Sequence, residues 1–351
     1  MDGVVKASVR ERLLGPAPCF VIAEAGVNHN GSPEAAEALV DAAATTGTDA
    51  VKFQTFRAEL LVNPDAPKAD YQIESTGSGE SQYAMLKRLE LGREQYGELK
   101  GRAETQGLVF LSTPFDDESA DFLDALGMEA FKIGSGELTN LEFLRHVAQK
   151  GKPVILSTGM ANLEEVEEAL GTVTGEGNPD VVLLHCVSNY PADPAEVNLR
   201  AMETLSQEFG KPVGLSDHTM GIEVALAAVA LGARVIEKHF TLDRSQKGPD
   251  HRASMEPEEM RALVAGTRKI EMALGDGCKQ PTASEKGVAA VARRSLVVSV
   301  DLPAGAVLTS DVLVARRPGS GLKPSLKPRM IGRKLRSPVA AGTLLTMEML
   351  V

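Results

Sequence analysis

The sequence predicts an α/β fold, a (β/α)8 TIM barrel followed by a small β-rich domain. Three observations support this prediction: the length of 351 residues, the alternation of apolar runs with helical stretches over residues 20–240, and a change of composition after residue 292. A chain of this length is expected to form about two domains. The main exception is the α/β barrel, which takes about 200 residues or more as a single domain.

Short β-rich runs that end in polar residues or glycine recur eight times between Phe20 and Phe240. Apolar runs that alternate with helices are typical of parallel strands buried on both faces. The runs are FVIAEAG at 20, DAVKFQT at 49, LVFLSTP at 108, AFKIGSG at 130, VILSTG at 154, VVLLHCVSN at 181, PVGLSDH at 212 and RVIEKHF at 234.

The intervening segments have the apolar spacing of helices, as in SPEAAEALVDAAATTG and ANLEEVEEALGTV. Each of these two begins with a capping residue, Ser32 before Pro33 and Asn162 two residues before Glu164. Eight strand-helix units predict a barrel whose active site lies at the carboxyl ends of the strands.

The chain after Gly275 is polar and rich in glycine, and we interpret residues 278–292 as a linker. It would join a barrel domain, residues 1–277, to a second domain, residues 293–351. The second domain contains the near-repeated phrases DLPAGAVLTSDVL and PVAAGTLLTMEML. Short β segments with turns predict a compact module that is too small to carry much chemistry alone.

The composition excludes several classes of partner. A net charge of -11 repels nucleic acid phosphates, so we expect no nucleic acid partner. No apolar run approaches the roughly 20 residues of a membrane span, so we expect no membrane partner either. A phosphate site in such an acidic protein must be built locally from lysines, hydroxyls and backbone amides.

The start of the chain and the cysteines indicate a cytoplasmic protein. Residues 1–20 lack the apolar segment of a secretory signal. Cys19, Cys186 and Cys278 are odd in number and widely spaced, which argues against a disulfide framework and against a thiolate zinc site.

Polar side chains fall at the ends of all eight predicted strands. Buried charges are costly when unpaired, so lysines in apolar strands indicate function. The residues are Glu24; Lys52 and Gln54; Ser112 and Thr113; Lys132, Ser135 and Glu137; Ser157 and Thr158; Ser188, Asn189 and Tyr190; Ser216, Asp217 and His218; and Glu237, Lys238 and His239.

His218 and His239 close strands seven and eight, which are neighbours in a barrel. Two histidines with oxygen ligands suit a divalent metal such as Mn²⁺, or Mg²⁺ or Co²⁺ in its place. His29, His185 and His251 are weaker candidates, and His185 could instead fill the barrel interior.

Lys52 and Lys132 supply cations that could hold a phosphate and a carboxylate. Hydroxyl donors from several strands would assist them, namely Thr113, Ser135, Ser157 and Ser216. Glu24, at the end of an apolar strand, is a candidate general base because burial raises the pKa of a carboxyl group; it could instead pair with a lysine.

The sequence resembles the sialic acid synthases, or N-acetylneuraminate synthases, which join a barrel to a C-terminal domain like type III antifreeze protein (SAF). The resemblance rests on phrases that occur in order through the barrel and on the tail from Ser295, with ARRPG at 315. The barrel phrases are IAEAGVNHNG at 22, VKFQTF at 51, STPFD at 112, FKIGSGE at 131, ILSTGM at 155, GLSDHT at 214, EKHFTL at 237 and GPDH at 248.

The resemblance implies a transferase that condenses phosphoenolpyruvate with an N-acylated amino sugar and releases phosphate. It implies that His218 and His239 bind manganese and that Glu24 assists proton transfer. Arg317 would reach the N-acyl group of the sugar in the partner's barrel, which implies a domain-swapped homodimer. Phosphoenolpyruvate would contact Lys52, Thr113, Lys132, Ser135, Ser157 and Ser216. The amino sugar and the metal-bound water would face Gln54, Glu137, Tyr190 and Asp250. Glu137 and Asp250 are thus candidate catalytic residues beside Glu24, and Ser188 and Asn189 are candidate contacts of the sugar.

One departure from the family bears on the choice of sugar. The N-acetylneuraminate enzymes carry Asn-Ile-Tyr before the proline that follows strand six, whereas this chain has Ser188, Asn189 and Tyr190. We expect N-acetylmannosamine as the substrate. The alternative is a diacetamido 6-deoxy sugar, which the legionaminic and pseudaminic acid synthases of the family use.

Two other classes of function compete with this one. A Schiff-base aldolase could use Lys52, Lys132 or Lys238 on the same barrel and would need no metal. An ice-binding or carbohydrate-binding protein could use the tail, but it has no need for polar groups at eight strand ends.

Overall fold

The computed structural model describes residues 7–351, which divide into two compact units between Gly275 and Asp276. The first unit confirms the predicted (β/α)8 barrel. The stretch interpreted as a linker, residues 278–292, clusters with the second unit and contains a helix, Ala283–Ala292, capped by Thr282.

Eight parallel strands form the barrel of the first unit. Each lies within the run that predicted it, and neighbours along the chain pair in parallel from β1 to β3 and from β4 to β8, with β8 also pairing with β1. Strands β3 and β4 lie side by side without a ladder in the described residues, so the barrel is nearly closed. The strands are β1 Phe20–Gly26, β2 Ala50–Thr55, β3 Val109–Pro114, β4 Phe131–Ile133, β5 Val154–Ser157, β6 Val181–Cys186, β7 Val213–Asp217 and β8 Val235–His239.

Helices follow the strands and surround them. The predicted caps are present: the Ser32 hydroxyl accepts from Ala35 N, and the Asn162 side chain accepts from Glu165 N. The helices of this unit are α1 Val9–Leu14, α2 Pro33–Thr46, α3 Ala58–Leu61, α4 Asp70–Thr76, α5 Gln82–Leu89, α6 Arg93–Thr105, α7 Asp117–Ala125, α8 Leu141–Ala148, α9 Leu163–Gly175, α10 Ala201–Phe209, α11 Glu223–Ala230 and α12 Pro257–Leu274.

The barrel has two apolar layers, because successive residues of a strand point to opposite faces. The larger layer lies between strands and helices. The smaller one fills the interior and includes Ile22, Leu111 and Ile155, and Val9 and Leu13 of α1 pack against it. With this interior filled, chemistry is confined to the end of the barrel above the apolar residues.

Strand register places polar side chains on top of that interior layer. The residue two places after each interior apolar residue points the same way, so Glu24 lies above Ile22 and Thr113 above Leu111. Glu24 pairs in register with Lys52 on one side and with His239 on the other.

The second unit contains helices α13 Ala283–Ala292 and α14 Lys327–Met330, and strands β9 Ser295–Val298 and β10 Leu313–Arg316, which pair antiparallel. Its two near-repeated phrases occupy equivalent places. Leu302 and Val339 exchange backbone hydrogen bonds of 2.9 Å, and the N–H groups of Gly305 and Gly342 each donate at 2.8 Å to equivalent carbonyls. The repetition therefore gives the module a local pseudo-twofold.

Among residues 7–351, no helix combines the length and the apolar character needed to cross a membrane.

Candidate active site

A cavity of about 480 Å³ opens at the carboxyl ends of the barrel strands. All but two of the predicted site residues line it. They are Glu24, Lys52, Gln54, Thr113, Lys132, Ser135, Glu137, Ser157, Ser188, Tyr190, Ser216, His218, His239 and Asp250.

The two exceptions are Asn189 and Arg317. Asn189 is exposed, and its Nδ2 lies 3.4 Å from Glu196 Oε2, because the loop after β6 turns Ser188 and Tyr190 inward and Asn189 outward. Asn189 therefore does not line the cavity, and its contact with the substrate stays a prediction. Arg317 is an exposed residue of the second unit, directly after β10.

Two carboxylates and two lysines form a buried network on the cavity floor. Lys52 Nζ lies 2.6 Å from Glu24 Oε2 and 3.5 Å from Glu237 Oε2, and it donates to Thr113 Oγ1 at 2.9 Å. Lys132 Nζ lies 3.4 Å from Glu237 Oε1. The pairing keeps four charges in the protein interior, where single charges would be unstable.

The environments of the two carboxyl groups push their pKa values apart. Burial raises the pKa of Glu24, and Glu237 adds to the rise although Lys52 opposes it. Burial acts in the same direction on Glu237, but Lys132 and Lys52 outweigh it and lower that pKa to about 2. Glu24 is thus the carboxyl that can take up a proton, while Glu237 stays ionised.

Lys132 is the less engaged of the two lysines. Its ammonium group donates to the carbonyl of Ile133 at 3.3 Å, whereas Lys52 has closer partners. Burial lowers the pKa of Lys132, although Glu237 opposes the effect. An anion in the cavity would therefore find in Lys132 a cation with spare hydrogen-bonding capacity.

Serine hydroxyls around Lys132 add donors for the same anion. Ser157 Oγ is buried and has no hydrogen-bond partner among the described residues. Ser135 Oγ accepts the N–H of Gly159 at 3.0 Å, which leaves its own proton free to donate. Ser216 differs, because its hydroxyl donates to Glu237 at 2.9 Å.

The two predicted metal ligands lie together at one side of the cavity. The ring centroids of His218 and His239 are 5.4 Å apart, and Tyr190 packs against the first ring at 4.0 Å and the second at 5.4 Å. Asp250 Oδ2 lies 3.8 Å from His239 Nδ1. Burial, with a smaller contribution from Glu24, raises the pKa of Asp250 to about 7.

These residues fit a metal bound by two histidines. His239 Nδ1 is buried without a hydrogen-bond partner in the described chain, and burial with nearby His218 holds its pKa well below the usual value, so the ring is neutral as a ligand must be. His218 Nδ1 lies 2.7 Å from the carbonyl of Val187, so Nε2 remains for a metal. Residues 7–351 assemble no group of three His, Cys, Asp or Glu for a metal.

Three residues of the cavity had no role assigned from the sequence, although Glu237 is among the polar residues at the strand ends. Glu237 is the carboxylate shared by both lysines, Cys186 lies 3.8 Å from His218 Nδ1, and Tyr71 comes from outside the strand ends. Period-two alternation could have found Glu237, since it shares a face with His239. Tyr71 lies in a polar connection that gives no comparable signal.

Other singled-out residues lie elsewhere. Lys238, an aldolase candidate, points away from the cavity and donates to Asp217 at 2.7 Å and to the carbonyl of Thr219 at 2.6 Å. His185 contacts the carbonyl of Val197 and faces the surrounding helices, because the alternation in β6 assigns the interior to Leu184. His185 therefore does not fill the barrel interior.

Comparison with known proteins identifies relatives over almost the whole chain. The NeuB family pattern matches residues 39–279, and the SAF domain pattern matches residues 293–351. An N,N'-diacetyllegionaminic acid synthase of Legionella pneumophila is 50% identical over 94% of each chain, and one of Campylobacter jejuni is 47% identical over 90% of this chain and 95% of its own.

A solved structure supports the same relationship. The N-acetylneuraminic acid (sialic acid) synthetase of Leptospira borgpetersenii, in complex with citrate, is 38% identical with a TM-score of 0.68. The match covers 77% of this chain and 90% of that one.

Proposed function

The chain belongs to the NeuB family, and we propose that it condenses phosphoenolpyruvate with a diacetamido 6-deoxy sugar to form a legionaminic acid and phosphate. It is an enzyme with transferase-type chemistry, as its relatives are synthases. The sequence alone favoured N-acetylmannosamine. The proposed sugar is instead the diacetamido 6-deoxy sugar, which was the alternative.

The observation that carries this choice is the difference in similarity between relatives. The two legionaminic acid synthases are 50% and 47% identical to this chain, whereas the sialic acid synthetase of Leptospira is 38% identical. Ser188 in place of the asparagine of N-acetylneuraminate enzymes lies in the cavity and is consistent with a different sugar.

Phosphoenolpyruvate would bind at the cationic floor of the cavity. Lys132, Ser157 and Ser135 have donor capacity to spare and would hold the phosphate, while Lys52 and Thr113 would hold the carboxylate. These groups are in place before substrate arrives, so they would stabilise the phosphate as it leaves without further rearrangement.

In the proposed reaction, carbon 3 of phosphoenolpyruvate forms a bond to the aldehyde carbon of the open-chain sugar. Water adds at carbon 2, and the tetrahedral intermediate loses phosphate by cleavage of the carbon–oxygen bond. Mn²⁺, Mg²⁺ or Co²⁺ held by His218 and His239 would supply Lewis acidity toward the aldehyde. Glu24, whose pKa is raised by burial, would accept a proton from the attacking water.

The sugar would occupy the side of the cavity near Gln54, Glu137, Tyr190 and Asp250. We propose in addition that the enzyme is a homodimer in the cytoplasm, in which Arg317 contacts the N-acyl group of the sugar bound by the partner. The exposure of Arg317 and the family resemblance support this, and its three free cysteines suit a reducing compartment.

Product analysis tests the proposed reaction. With Mn²⁺, the sugar and phosphoenolpyruvate labelled with ¹⁸O in the bridging position, we expect mass spectrometry to find a nine-carbon acid and to find the label in phosphate. Label retained in the organic product would mean cleavage of the phosphorus–oxygen bond and would contradict the proposed reaction, whereas a borohydride-trapped lysine adduct would favour the aldolase instead.

A further inference from the structure

Residues 66–82, here called the lid, form a folded segment between β2 and α5 that borders the cavity. The lid contains α4, and Tyr71, Gln72 and Gln82 line the cavity from it. The N–H of Gln82 donates to the carbonyl of Ala66 at 3.3 Å, which brings the two ends of the lid together.

Tyr71 connects the lid to the predicted metal ligands through stacked rings. Its ring centroid is 5.0 Å from that of Tyr190, which in turn is 4.0 Å from His218. Aromatic pairs at this distance stabilise each other beyond simple burial. The ring of Tyr71 therefore lines the cavity on the side where the predicted metal ligands lie.

The lining of the cavity also has an apolar part, in contrast to the cationic floor. Aliphatic and aromatic side chains that line the cavity include Phe56, Leu61, Val62, Leu86, Phe115 and Met160. A sugar that carries two acetamido methyls and a C6 methyl gains from such a lining, whereas a sugar with hydroxyls in those places loses hydration there.

Lys68 holds the lid in shape. Its side chain is 2% exposed, and Nζ donates to Thr76 Oγ1 at 2.9 Å, to the carbonyl of Gly77 at 3.0 Å and to Glu80 Oε1 at 3.1 Å. These bonds join the loop that follows α4 to Lys68, which precedes the helix. A buried lysine with three local partners fixes the position of α4, and hence of Tyr71.

We propose that Tyr71 determines specificity for the deoxygenated, doubly acylated sugar through the face of its ring, and that Lys68 is its positioning residue. The inference rests on the proposed function and extends it to named residues outside the barrel strands. It assigns discrimination between sugars to the lid and binding of phosphoenolpyruvate to the barrel floor.

The test compares kcat and KM for both sugars and for phosphoenolpyruvate in the full-length Mn²⁺ enzyme. We expect Tyr71→Ala to raise the KM for the diacetamido sugar about tenfold or more, and Tyr71→Phe to stay within about threefold of wild type. The KM for phosphoenolpyruvate should stay within about twofold in both variants. Tyr83→Ala and Tyr83→Phe are the matched controls, because Tyr83 on α5 is half-buried, donates to Glu59 at 3.3 Å and lies outside the cavity lining.

Lys68→Met should also raise the KM for the diacetamido sugar, because it loosens the lid without replacing a residue that lines the cavity. Its urea unfolding should match that of wild type, since the lid opens locally. Wild-type turnover with unchanged sugar KM in Tyr71→Ala, or an equal loss in Tyr71→Phe, overturns the lid's role alone. A wild type that turns over neither sugar overturns the proposed function and this inference together.

Discussion

On the cavity floor, the residue suited to bind an anion differs from the residue suited to transfer a proton. Lys52 is committed to Glu24 and Thr113, while Lys132 has only a carbonyl at 3.3 Å and a carboxylate at 3.4 Å. The network leaves Lys132 with spare capacity to bind an anion, and it leaves one carboxyl group, that of Glu24, with a raised pKa.

Removal of the charge on Lys132 should weaken binding of phosphoenolpyruvate. We expect Lys132→Gln to raise its KM at least about tenfold, because a charge-assisted hydrogen bond to phosphate is lost. Lys150→Gln, on the barrel surface beside Asp121, is the control. Equal KM values in the two variants would contradict the assignment of Lys132.

His29 should make stability depend on pH. Its Nδ1 accepts the N–H of Gly31 at 3.0 Å, and burial lowers its pKa from 6.5 to about 4. The unfolded chain therefore binds more protons between these values, so the free energy of unfolding should fall as the pH drops from 6.5 to 4. The loss should be about 3 kcal/mol at most.

Urea unfolding between pH 4.5 and 7 measures this effect against His29→Asn, whose amide oxygen can accept the same N–H. We expect a flatter pH dependence in the variant. Parallel curves for the two proteins would mean that His29 does not contribute.

At the scale of secondary structure, the ends of β7 and β8 position the two histidines. Asp217 and Lys238 pair in register on the outer face of the barrel, both are 1% exposed, and Asp217 also accepts from Thr219. The pair flanks His218 and His239 along the chain and fixes the two strand ends relative to each other.

Asp217→Asn should destabilise the protein by about 3–5 kcal/mol, because it leaves the Lys238 charge buried without a partner. The double variant with Asp217→Asn and Lys238→Met should recover most of the loss, since no charge remains. Urea unfolding of the two variants decides the matter: equal stabilities would show that the ion pair is not the source.

The sequence predicts strands better than the connections between them. Apolar runs located all eight barrel strands, and period-two alternation explains why Glu24 and Thr113 reach the cavity. The lid was missed because its helix α4 has a polar sequence held by Lys68 rather than by an apolar stripe. The linker helix α13 had a readable signal, Thr282 followed by Glu285 in a capping box.

At the scale of the whole molecule, the proposal requires a second chain for each active site. A barrel that lacks its acid–base residue and a tail that lacks Arg317 should complement each other if the arginine acts across the dimer. Neither defect would complement the other if each chain used its own arginine.

Coexpression of Glu24→Gln and Arg317→Ala chains with different tags tests this prediction. Each variant alone should lose at least about tenfold in kcat/KM. The mixed dimer should regain up to half of the wild-type value, because one of its two sites has both residues. Mixed dimers no more active than the parents would rule out sharing between chains.

The most direct test of the central claim is phosphate release from phosphoenolpyruvate with Mn²⁺, when N-acetylmannosamine and the diacetamido 6-deoxy sugar are offered separately. We predict release that depends on sugar, is abolished by a chelator, and has the higher kcat/KM with the diacetamido sugar. A higher kcat/KM with N-acetylmannosamine would contradict the proposed substrate, and no release with either sugar would contradict the proposed reaction.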